Sequence, residues 1–136
     1  MANLSQNMLN SNIRNLTSKE KQLLAFLMFM LSEIKENETP AKVDFFGIEA
    51  DISICEREIH HMDFIENGFV EQDFAHILAT FISVTSKIVT LRSESSICSM
   101  CIFSNHGYSE ADKKIFFKFN SSFLWEIEQN SFRKKK

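Results

Sequence analysis

Only three of the 136 residues are glycine and one is proline, which excludes collagen-like, low-complexity and flexible-linker classes. So little glycine also leaves few means of building a backbone phosphate cradle. No Walker-type loop, dinucleotide-binding fingerprint or G-x-S-x-G elbow occurs. No internal period of about 20–50 residues marks a repeat protein. The longest uninterrupted apolar run, Leu23 to Leu31, has nine residues, against the roughly 20 of a membrane span. No membrane partner is therefore expected. Three cysteines are too few, and odd in number, for a disulfide framework. The first residues lack the basic-then-apolar pattern of a secretory signal. The expectation is a cytoplasmic protein with reduced thiols, and 44% apolar side chains suffice for one core at this length.

The net charge of −3 conceals an uneven distribution. Residues 1–40 carry four Lys/Arg and four Asp/Glu, residues 41–80 carry two and nine, and residues 81–136 carry nine and five. An acidic middle followed by a basic end points to a charged partner.

Residues 1–15, rich in Asn and Ser with scattered Leu4, Met8, Leu9 and Ile13, read as a flexible N-terminal arm. Residues 16–130 read as one domain, and 131–136 as a basic tail. Thr17-Ser18-Lys19-Glu20 is a capping box and predicts a helix from about Ser18 to Asn37, stopped before Pro40. Its stripe of Leu23, Leu27, Met30, Leu31 and Ile34 is joined by Leu24, Phe26, Met28 and Phe29 on the other sides. Such a helix is buried from several directions, at the centre of the domain or against a second subunit. Lys42 to Ile48 reads as a short strand. The pattern Ser53 to Glu56 repeats the capping box, and Ile54, Ile59, Met62 and Ile65 extend it as a helix to Asn67. Gly68 suits the left-handed helix end, with Phe69 making the accompanying contact. A further helix is predicted over Gln72 to Ser86, with Phe74, Ile77, Leu78, Phe81 and Ile82 on one face and Asp73, His76, Thr80 and Ser83 on the other. The last third changes to a period of two. Ile97 to Phe103 and Lys114 to Phe119 read as a hairpin around a long polar tip, Ser104 to Lys113, before a short helix capped by Ser121 or Ser122. The fold class is α+β.

Chemistry-bearing residues are sparse. Cys98-x-x-Cys101 has metal-like spacing, yet residues three apart on a strand face opposite ways. These cysteines, and Cys55, read as buried reduced thiols. His60 and His61 diverge by about 100° on a helix, and His76 has no ligand partner at i+4. No metal, cofactor or enzymatic activity is expected. Most of the 14 phenylalanines read as core, with Phe116-Phe117-Lys118-Phe119 the nearest approach to a base-stacking surface. Lys87, Arg92, Lys113, Lys114 and Lys118, with the tail from Arg133, are candidate nucleic-acid contacts; the plainer reading is a solvated hairpin. Asp51, Glu56, Glu58, Asp63 and Glu66 are candidate contacts for a basic protein partner, or a mimic of nucleic acid.

The order of a capped long helix, two further helices, a long hairpin and a short helix is that of a winged-helix domain. Leu16-Thr-Ser-Lys-Glu-Lys-Gln-Leu-Leu24 resembles the opening of the N-terminal winged-helix domain of theta-type plasmid replication initiators. Ile102-Phe-Ser, Tyr108, Lys114-Ile-Phe-Phe-Lys-Phe-Asn120 and Phe123-Leu124 resemble that family's wing strands and following helix. The resemblance implies a DNA-binding, dimerising role. The long helix would supply the dimer interface through Leu24, Phe26, Met28 and Phe29, with contacts to duplex phosphates near Lys113 and Lys114. Two features depart from the family: no second domain has a counterpart here, and the segment from Asp44 to Asp73 is strongly acidic. A helix presenting Glu56, Glu58, Asp63 and Glu66 would repel phosphate. The alternative reading is a small protein-interaction or inhibitor module of the mobile-element type, docking through the acidic surface.

Overall fold

The computed structural model describes residues 4–32, 42–45, 48–51, 56–92, 95 and 97–129, with the side chains of 32, 42–45, 48–51 and 92 outside that description. The segment expected as a flexible arm is instead a docked helix, α1 (Leu4–Leu9). Leu4 and Met8 lie one turn apart and pack into the core, Met8 completely, and Ile13 and Leu16 follow them in. The polar residues that suggested an arm satisfy carbonyls of other elements: the Ser5 hydroxyl donates to the Ala25 carbonyl at 2.8 Å and the Asn7 amide to the Ile127 carbonyl at 3.0 Å.

The expected capping box forms. The Thr17 N–H donates to Glu20 Oε1 at 2.8 Å and the Glu20 N–H to Thr17 Oγ1 at 3.2 Å, opening α2 (Ser18–Ser32). Residues 33–41, including the expected helix end, lie outside the description. α2 is the central helix. Leu23, Leu24, Leu27 and Met28 are all but fully buried, with α1 on one side and α4 (Phe74–Thr85) on another. The Phe26 ring stacks on Phe64 at 4.9 Å and meets Phe69 at 5.0 Å. The expectation that Leu24, Phe26 and Met28 form a dimer interface is thereby corrected, because this chain's own helices and rings cover them. Of the four, only Phe29 is surface-exposed.

β1 (Lys42–Phe45) and β2 (Ile48–Asp51) form an antiparallel hairpin, and Cys55 and Ser53 lie outside the description. Glu56 then begins a strand, β3 (Glu56–His60), where a helix was expected. Pairing with β7 (Lys114–Phe119) decides this, since it sets Ile59 against Ile115, both fully buried. Only α3 (His61–Glu66) remains of the expected helix. Met62 and Ile65 of the supposed apolar stripe are exposed, and Phe64 is the buried anchor. α3 ends as read from Gly68. This residue takes φ 73°, its N–H reaches the Ile65 carbonyl at 3.2 Å, and the Phe69 N–H reaches the Phe64 carbonyl at 2.9 Å. That is a Schellman closure, with the Phe69 and Phe64 rings 5.3 Å apart as its apolar contact.

After α4, β4 (Ile88–Arg92) pairs with β5 (Ile97–Cys101) as a separate two-stranded sheet. β6 (Phe103–Ser109) and β7 complete a three-stranded sheet of order β3-β7-β6. The expected hairpin partner of β7 is thus corrected from 97–103 to β6, and the tip shrinks to residues 110–113. Residues 104–109 looked like a loop because they form a polar edge strand facing water on one side. α5 (Ser121–Glu128) is capped by Asn120, whose side-chain oxygen accepts from the Ser122 N–H at 3.0 Å. Phe103, Phe117, Phe119 and Phe123 pack together with Phe81 behind the sheet. Burial of each such ring contributes about 1.5–3 kcal/mol.

Candidate nucleic-acid interface

Alternation along β7 sends Ile115, Phe117 and Phe119 inward and leaves Lys114, Phe116 and Lys118 on the outer face. The register places Glu56 opposite Lys118, Glu58 opposite Phe116 and His60 opposite Lys114. Candidate basic and acidic residues that are far apart in sequence therefore share one sheet face. Lys114 Nζ lies 3.4 Å from Glu58 Oε1, and His60 Nε2 lies 3.6 Å from the same oxygen. At this exposure the pair is worth no more than about 1 kcal/mol, but it offsets the charge a phosphate would meet. At the wing tip, Ser109 Oγ accepts from the Asp112 N–H at 3.2 Å, and Lys113 turns with φ 51°. The Lys113 carbonyl accepts from the His61 N–H at 2.9 Å, which anchors the wing to the start of α3. The Lys113 side chain is exposed.

α4 contains neither Lys nor Arg. Its N-cap Asp73 accepts from the Ala75 N–H at 3.1 Å. His76 Nδ1 sits 3.5 Å from Asp73 and 3.6 Å from Glu71. The helix start is thus acidic.

No protein-family model matches the chain, and no curated protein is similar to it. Among solved structures, it is similar to the crystal structure of the MSBI1.176 WH1 domain, described as a replication protein isolated from a multiple sclerosis patient. The likeness has a TM-score of 0.55 at 13% identity and covers 86% of this chain and 82% of that one. This chain has a winged-helix fold.

Within the winged helix, Lys87 is engaged by groups of this chain. Its Nζ lies 2.6 Å from Glu20 Oε1 and 2.7 Å from the Asn15 carbonyl, and Ser83 Oγ donates to Glu20 Oε2 at 2.9 Å. Burial pushes the Glu20 carboxyl up, but hydrogen bonds from Lys87, the Thr17 N–H and Ser83 outweigh it and hold the group below its ordinary value. The capping box of α2 is thereby latched to the far end of α4. Arg92 ends β4 with its side chain outside the description, as does Asp51 at the end of β2. Asp63 accepts from the His60 N–H at 2.8 Å, opening α3, and Glu66 closes that helix in solvent. The acidic candidates therefore divide between the outer sheet face and α3 instead of lining one helix.

Cys98 and Cys101 are exposed, against the expectation of burial. β5 belongs to the two-stranded sheet, which has Val89 against the core and an outer face of Ile88, Thr90, Ile97, Ser99 and Cys101. Among the described residues no cluster of His, Cys, Asp or Glu is arranged to hold a metal ion, and no helix is long and apolar enough to cross a membrane. Sequence reasoning missed a groove between the start of α2, residues 69–71 and α4, with a volume of about 330 Å³. Its walls come from three separate segments, and no periodicity announces it.

Proposed function

We propose that this winged-helix domain binds double-stranded DNA through its wing, in a replication-related role like that of the protein whose WH1 domain it resembles. The carrying observation is the wing itself: an anchored hairpin with Lys113 exposed at its tip and Lys114 and Lys118 in one outward row. Binding is dominated by phosphate contacts and carries little sequence preference, since α4 has no Arg to engage guanine edges. The domain acts without catalysis. Fluorescence anisotropy with a duplex oligonucleotide at low and moderate salt tests this. Affinity should fall with salt, and replacing Lys113, Lys114 and Lys118 together should weaken it and flatten the slope. No affinity at low salt refutes the reading.

Dimerisation, on this reading, uses the outer face of β4–β5 in place of α2. A two-stranded hairpin is marginal alone in water, and Ile88 and Ile97 on that face are 55% and 66% exposed. A second copy laid across it would cover both.

A further inference from the structure

The groove beside α4 is a surface distinct from the wing. Leu23 and Ile77, both 1% exposed, form its floor, and Phe69 and Val70 form one wall. Val70 is 84% exposed, an apolar side chain held in water directly after the Schellman closure at Gly68. The volume of about 330 Å³ is at the small end of ligand pockets, which run from about 300 to 1,000 Å³. That suits one or two anchoring side chains of a peptide.

Charge fixes the kind of partner. Lys19 and Glu71 both line the groove, and Glu71 and Asp73 share the imidazole of His76. From His61 to Asp73, the segment that supplies the wall of Phe69 and Val70, the chain has four carboxylates and neither lysine nor arginine. A nucleic-acid backbone meets repulsion here, and an acidic peptide meets the same. We infer that this groove receives a basic, amphipathic protein segment, with an apolar side chain seated over Ile77 against Val70 and a cation at Glu71 and Asp73.

The inference stands apart from DNA binding, because the wing and the groove are different surfaces. The test uses the full chain, isotope-labelled, titrated in turn with a leucine-and-arginine amphipathic peptide, its leucine-and-glutamate counterpart and duplex DNA. The arginine peptide should shift the amides of Phe69, Val70 and Ile77. Val70→Asp and Glu71→Lys should each weaken its binding about tenfold or more. Both residues lie at the surface, and unchanged melting confirms that the variants are folded. No arginine-peptide binding by ~1 mM, equal binding of the glutamate peptide, or duplex DNA shifting these same amides would overturn the assignment.

Discussion

Replacing Lys87 with methionine separates a structural role from a DNA contact. The substitution keeps the apolar stem and removes the ammonium that lies 2.6 Å from Glu20 Oε1. Glu20 is 3% exposed, so its carboxylate cannot turn to water. Stranding one partner of a buried pair costs about 3–5 kcal/mol. The Thr17 N–H and the Ser83 hydroxyl still donate to the carboxylate, which places the cost near ~3 kcal/mol. A chain of this size unfolds with an entropy of about 0.3 kcal/mol per kelvin, so the midpoint should fall by about 10 °C. Melting followed by circular dichroism reads this directly. The pH dependence has a fixed sign. The folded Glu20 carboxyl is held below its ordinary value of 4.5, so its contribution is full above that pH and is lost as pH falls through the folded value. Glu20→Gln removes that part of the acid sensitivity. If Lys87→Met melts within about 2 °C of the parent while its DNA salt slope drops by about one phosphate, the latch is wrong and Lys87 is a DNA contact.

Glu58→Gln releases Lys114 from its ion pair and should raise duplex affinity at low salt by a few-fold, consistent with a surface pair of up to about 1 kcal/mol; anisotropy reads this. Lys113→Gly relieves a left-handed conformation and should leave stability unchanged or raise it by up to about 1 kcal/mol. The same change should reduce the DNA salt slope by about one phosphate. Phe117→Ala empties a fully buried site and should cost about 3–5 kcal/mol in denaturant unfolding. Ile97→Asp, on the exposed face of β5, should convert a dimer to a monomer in light scattering and make the melting midpoint independent of protein concentration.

Local signals were legible in the sequence wherever the partner groups lie within a few residues. The Thr17–Glu20 box, the Gly68 closure and the inward alternation of Ile115, Phe117 and Phe119 all belong to this class. The order of long helix, further helices and wing was legible too, and with it the α+β winged-helix fold. What failed depends on distant residues. Ile59, Met62 and Ile65 have helical spacing, yet the free edge of β7 draws Glu56–His60 into a strand, a tertiary override that periodicity cannot register. Asn and Ser in the first segment looked solvated because their acceptors, the Ala25 and Ile127 carbonyls, lie 20 and 120 residues away. The ion pair of Lys87 was illegible for the same reason: its partner Glu20 lies 67 positions away along the chain. Residues 97–101 alternate like a core strand, but they pair with β4, which exposes the cysteines.

Chemical-shift mapping of duplex DNA on the labelled chain tests the central claim most directly. The account predicts that amides of the wing, Ser109 to Lys114, shift in a salt-dependent way while those of α4 from Ala75 to Ser83 stay in place. Shifts concentrated on α4 with a still wing would contradict it.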